Sequence, residues 1–170
     1  MFSLGNILPD VAPHLRLMSH SKRHSYDYLL KRIEKLSRNR HRSSIYTSLK
    51  LGVITHYLAD YFCHPHTESF DGSINDHRLY EVGLARYALH NINKVAHYLH
   101  AENNGGAKAT IDELYRSYQS TSPSYKNDME YAVKATRSIA LALALTSEPL
   151  LILPDAVALT ELQPVPVSEA

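Results

Sequence analysis

Apolar residues recur along this chain mainly at helical spacing. Tyr26, Leu29, Leu30, Ile33 and Leu36 follow a three-four rhythm, with Lys31, Arg32, Glu34 and Lys35 between them. That pattern predicts a helix opening near Ser21 or Ser25, either of which suits an N-cap, and closing in the basic run 38–42. A second helix is expected from Ser43 or Ser44. Ile45, Leu49, Val53, Tyr57 and Leu58 form its face, and Leu51 and Ile54 widen it. A helix apolar on most sides belongs in the middle of a bundle. Pro65 stops it by about residue 63.

After a loop over 64–75 containing Asp71-Gly72-Ser73, a third helix is expected from about Asp76 to about Ala101, with Leu79, Val82, Leu84, Tyr87, Leu89, Ile92, Val95 and Tyr98 as its apolar positions. Asn103-Asn104-Gly105-Gly106 ends it. A short helix over about 107–119 and a long one from about Ser124 to Thr146 follow, separated by Ser122-Pro123-Ser124. Pro9 and Pro13 predict an extended, looped segment for residues 1–20. Prolines 149, 154, 164 and 166 mark 151–170 as an extended or partly disordered tail after a single domain over 1–150. No strand-like alternation and no internal repeat are present, so the fold class is all-α, a compact multi-helix bundle.

Composition narrows the chemistry. The 170 residues carry a formal net charge of +1, so no broad nucleic-acid footprint and no stable nucleic-acid complex are expected. The single cysteine, Cys63, excludes an internal disulfide framework and a multi-cysteine zinc site within one chain. The N-terminus lacks a basic region followed by a long apolar run, and no window reaches the ~20 apolar residues of a membrane span. Cytoplasmic residence is the default expectation, and secretion the alternative if a preceding segment is missing.

Eleven histidines remain to be explained, and four fall between His56 and Glu81. His56 and Asp60 lie four apart inside an apolar helix, and His77 and Glu81 repeat the spacing at the start of the next. Residues i and i+4 share a helix face, so each pair can grip one ion with nitrogen and oxygen ligands suited to Zn²⁺. For each pair the bland alternative is a histidine–carboxylate hydrogen bond or a solvated face. His64-Pro65-His66, in the turn between the helices, adds two further candidates. The carboxylate count suits two divalent ions, which together activate water against a phosphate ester. The spacing is neither the helical HExxH of zinc proteases nor an adjacent His-Asp doublet.

His56-x3-Asp60, then His66 six residues after the acid, then His77-x3-Glu81, resembles the zinc-dependent phospholipase C family, all-α enzymes related in fold to the S1/P1 nucleases. The resemblance covers residues 5–85 well and the C-terminal half only as generic helices. It implies an upstream aspartate, matched by Asp10 in Gly5-Asn6-Ile7-Leu8-Pro9-Asp10, and an upstream histidine, matched by His20 with His24 as competitor. It implies that Asp10, His20, His56 and Asp60 hold one zinc ion and that His66, His77 and Glu81 hold a second, with His64 a secondary candidate. The family's third site uses an N-terminal Trp and an earlier His. This chain has no Trp, and His14 follows Asp10, so that pattern is incomplete.

The activity implied is hydrolysis of a phosphodiester by metal-activated water, with Asp10 or another carboxylate orienting or deprotonating it. A phospholipid is the implied substrate, and transient contact with a membrane surface follows from it. A nuclease or general phosphodiesterase on the same site, or a helical metal-binding protein without turnover, are the alternatives. Tyr57, Tyr61, Phe62 and Phe70 are candidates either for a headgroup or base pocket or for the core.

Overall fold

The computed structural model describes residues 1–13, 20–38, 43–95 and 106–146, and every regular element among them is helical. In chain order these are α1 (Phe2–Val11), α2 (Lys22–Ser37), α3 (Ser44–Tyr61), a 3-10 turn (His64–His66), α4 (Ile74–His90), the short α5 (Ile92–Val95), α6 (Gly106–Gln119) and α7 (Tyr125–Thr146). The expected tail over 151–170, and the expected continuation of the third helix to Ala101, lie outside the described residues.

Helix α3 is the centre. It buries Val53, Ile54, Thr55, Tyr57, Leu58 and Tyr61, and α1, α2 and α7 pack around it. Leu29, Ile33 and Leu36 of α2 and Ala135, Ile139 and Leu143 of α7 complete the core. Phe62, fully buried, sits among the rings of Tyr115, Tyr118 and Tyr131, with centroids 5.6 to 6.2 Å away. Tyr57, Tyr61 and Phe62 are therefore core residues. Phe70 packs edge-on against His64 and His77.

The helix starts follow local chemistry. Ser43 caps α3, its side chain accepting from the Tyr46 amide. Ser73 and Asp76 form a reciprocal capping box at α4, which moves that helix's start ahead of Asp76. Ser21 is the N-cap of α2, while Ser25 is buried and bonded to the Ser21 carbonyl and the Tyr61 hydroxyl.

Two expectations are overturned. Residues 2–11 are helical despite Pro9. Proline within a helix removes one backbone bond and costs about 3 kcal/mol, so α1 needs tertiary support, and α3 supplies it. Gly5 and Gly52 face each other so closely that a methyl group on Gly52 would come within 2.8 Å of Gly5 Cα and of the Asn6 nitrogen. The absence of side chains lets the two backbones touch. Asn6 then bonds Thr55 across the contact at 3.2 Å. The second correction concerns α4. Its positions Leu79, Val82 and Leu89 are exposed, and no residue of α4 is fully buried. Its packed side is made instead by half-buried Tyr80, Gly83 and Tyr87 against Tyr125 of α7.

Candidate metal centre

Three helices and one turn bring the predicted ligands into two adjoining groups. The close crossing of α1 on α3 sets Asp10 beside His56. The i, i+4 spacing on α3 sets His56 beside Asp60. His20, just ahead of α2, leans onto both.

In the first group Asp60 Oδ2 lies 3.0 Å from His20 Nδ1 and 3.1 Å from His56 Nε2. The two nitrogens are 3.5 Å apart. Asp10 Oδ1 lies 3.6 Å from His56 Nε2 and 4.0 Å from His20 Nδ1. Ligand atoms held about 2.0–2.2 Å from one ion stand roughly 3.3–3.6 Å apart in a tetrahedron. The observed separations are close to that spacing. Asp60 Oδ2 is buried and, despite its near neighbours, accepts no well-directed hydrogen bond. A buried carboxylate oxygen without a donor is costly, and a cation among these four side chains relieves it. The donor set, two imidazoles and two carboxylates, fits zinc.

The electrostatics agree with the geometry. Burial pushes the Asp60 carboxyl up, but the facing imidazoles of His20 and His56 outweigh it and hold it at about 2. Burial pushes the His56 imidazole down, while Asp60, Asp10 and the backbone carbonyl of Asn6 outweigh it, so the net shift is upward. The Asn6 carbonyl also orients the ring. With Nε2 turned to the acids, a bond from the ring to Asn6 fixes the tautomer that keeps Nε2 free as a ligand.

The second group closes on Glu81. His77 Nε2 and His66 Nε2 stand 3.0 and 3.2 Å from Glu81 Oε1, and the two rings meet edge to face with centroids 4.7 Å apart. The His66 contact lowers the Glu81 carboxyl, burial opposes it, and His77 adds to the lowering. One nitrogen or oxygen atom from each of Asp10, His20 and His56, and from each of His66, His77 and Glu81, falls within 4.8 Å of its group partners. The rings of His20 and His66 stack with centroids 6.1 Å apart and join the groups. Asp10 (59% exposed) and Glu81 (46%) form the open side, whereas His20, His56, Asp60 and His66 are 12 to 18% exposed.

The secondary candidates stand apart. His24 Nδ1 pairs with the Ser21 hydroxyl at 2.8 Å, outside both groups. The His64 ring packs between Phe70 and Tyr80 and lies near the Thr67 hydroxyl.

His64 matters through its backbone, and this exposes a residue that the sequence reading missed. Asp128 of α7 is fully buried. Its Oδ2 accepts the His64 amide at 2.9 Å and its Oδ1 accepts the Tyr118 hydroxyl at 2.8 Å. Burial raises its carboxyl, with the His64 amide and Tyr118 opposing. Asp128 thus ties the turn that carries His66 to a helix more than sixty residues away. A signal was available: Asp128, Ala132, Ala135, Ile139 and Leu143 share one helical stripe, so an acid occupied a core position.

Neither a curated protein nor a solved structure matches the chain. The family model described as zinc dependent phospholipase C matches residues 1–134, which include both groups and Asp128. With that match over most of its length, the chain belongs to the zinc-dependent phospholipase C family.

Proposed function

We propose that this protein is a metal-dependent phosphoric ester hydrolase that cleaves the phosphodiester of a phospholipid, with two zinc ions held by the seven side chains. The observation that carries this reading is the juxtaposition of the two groups through the 6.1 Å stack of His20 on His66. Bound zinc supplies a Lewis acid for the phosphate oxygens and lowers the pKa of water.

The chain's own residues do the rest. Asp60 and the Asn6 carbonyl orient the inner imidazoles. Asp10 is the exposed carboxylate of the first group, so it is placed to orient the attacking water and accept its proton. Three carboxylates against two divalent ions leave the site with one net positive charge, complementary to the single negative charge of a phosphodiester. A nucleic-acid substrate finds less support, because Tyr57, Tyr61 and Phe62 are fully buried and offer no ring face for a base.

The test is zinc content and turnover of protein purified without chelator. About two zinc ions per chain, hydrolysis of phosphatidylcholine, and loss of both in His56→Ala and Asp60→Ala support the reading. Zinc with cleavage of single-stranded DNA but not of lipid moves the activity to a nuclease. Absence of zinc and of all phosphodiester hydrolysis overturns it.

A further inference from the structure

The two helices that form the open side of the centre also carry most of the exposed large apolar residues. On α4, Ile74, Arg78, Val82, Ala85 and Leu89 follow spacings of four, four, three and four and form one continuous stripe. Ile74, Val82 and Leu89 are 76, 49 and 72% exposed. On α1, Leu4, Ile7 and Val11 form a second stripe, 48 to 60% exposed.

In each helix the metal-ligand candidates occupy the seam beside the stripe. Asp10 lies between the packed Gly5–Pro9 side of α1 and its outer Leu4–Ile7–Val11 side. His77 and Glu81 lie between the packed Tyr80–Tyr87 side of α4 and its outer stripe. The stripes therefore flank one opening. Arg78 and Arg86 add positive charge to α4, both are exposed, and no acid pairs with either among the described residues.

We infer that these two stripes dock the protein on an anionic phospholipid surface, with the apolar side chains entering the interface and Arg78 and Arg86 meeting the headgroups. Apolar side chains mixed with cations suit a lipid interface. A second copy seated on the same faces would cover the opening between Asp10 and Glu81, which argues against self-association. The inference rests on the proposed lipid hydrolysis and adds how the substrate is reached.

The experiment is co-sedimentation of the zinc-loaded full chain with vesicles of phosphatidylcholine, alone or mixed with phosphatidylglycerol. Hydrolysis of a water-soluble phosphodiester is measured in parallel. Wild type is expected to prefer the mixed vesicles, and less so as salt rises. Ile74→Asp with Leu89→Asp, and separately Leu4→Asp with Ile7→Asp, should each weaken binding roughly tenfold or more, and Arg78→Gln with Arg86→Gln roughly tenfold on the mixed vesicles alone. Zinc content and soluble turnover should remain unchanged, because none of these residues touches either group.

Unaltered vesicle binding by the variants overturns the inference. So does wild type that hydrolyses the soluble ester and binds neither vesicle. A dimer broken by Ile74→Asp with Leu89→Asp, without vesicle binding, assigns the face to a second copy and also overturns it. Variant-sensitive vesicle binding with no hydrolysis of any phosphodiester supports the surface and removes the proposed function.

Discussion

Replacing Gly52 with alanine should damage one metal group and spare the other. A Cβ at position 52 meets the Phe2 carbonyl oxygen, and it lies 2.8 Å from the Asn6 nitrogen and from Gly5 Cα. Ordinary contact begins near 3.4 Å, so the backbones must part by at least about 0.6 Å, and by roughly 1 Å to clear the carbonyl oxygen. Every clashing atom is backbone, so no rotamer change relieves the contact. Helix α1 must lift from α3, and Asp10 rides on it. Metal ligands tolerate displacements of about 0.2 Å, so Asp10 leaves its place beside His56.

Three of the four candidate ligands of the first group, His20, His56 and Asp60, do not sit on α1. The expected loss in affinity is therefore on the order of 10–100-fold, comparable to losing a supporting partner of a metal site. Stability changes less. Overpacking costs about 1–3 kcal/mol, and exchanging glycine for alanine within a helix returns up to about 1 kcal/mol. Zinc titration against a chromophoric chelator, with a urea melt of the same sample, measures both. Loss confined to one of two zinc equivalents agrees with the structure. Two unchanged equivalents, or equal weakening of both in a folded protein, refutes the placement of Asp10 by the α1–α3 contact.

Asp128→Leu should leave the buried His64 amide without an acceptor, destabilise the protein by roughly 2–4 kcal/mol and weaken the zinc equivalent that uses His66. Asp128→Asn should recover most of both, since the amide oxygen can face His64 while Tyr118 accepts from the amide nitrogen; failure of Asn to rescue would show that the charge matters more than the bonds. The metal-free and zinc-loaded forms should respond oppositely to pH. Without metal, the raised His56 contributes stability below its unfolded pKa of 6.5 and loses it as pH rises through the folded value. The depressed Asp60 contributes above 3.8 and loses it as pH falls towards about 2. With zinc, the ligands must be neutral imidazoles, so stabilisation by the ion grows as pH rises. The gap between thermal midpoints with and without chelator should thus widen between about pH 6 and 8, and a gap that narrows contradicts the pairing.

Much of the centre was legible because its chemistry repeats at helical spacing. His56-Asp60 and His77-Glu81 are local pairs, and local geometry follows from the period alone. Asp10 and His20 needed the family pattern, since nothing in their own neighbourhoods marks them. The helix over 2–11 was not legible, because Pro9 speaks against it locally. Its formation depends on Gly5 meeting Gly52, a contact between residues forty-seven positions apart. The exposure of Leu79, Val82 and Leu89 was hidden for a different reason. Periodicity reports that a helix has an apolar side and says nothing of what covers it. Asp128 could have been found as an acid in an apolar stripe, yet its partner at His64 could not.

The two groups differ in how many donors they offer and how open they are, and under the proposed metal binding this sets the order in which they fill. The outer group offers three side chains, and His77 and Glu81 are 31 and 46% exposed, so water competes for an ion there. The inner group offers four, and His20, His56 and Asp60 are 15, 12 and 18% exposed. The inner group should therefore be the high-affinity seat. At low zinc supply the predominant species should carry one ion there, and the outer group should exchange its ion with the surroundings. A substoichiometric titration that distributes zinc evenly between the two would contradict this ranking. By this reasoning, scarcity of the metal would silence the protein by emptying the outer group while the inner one stays loaded.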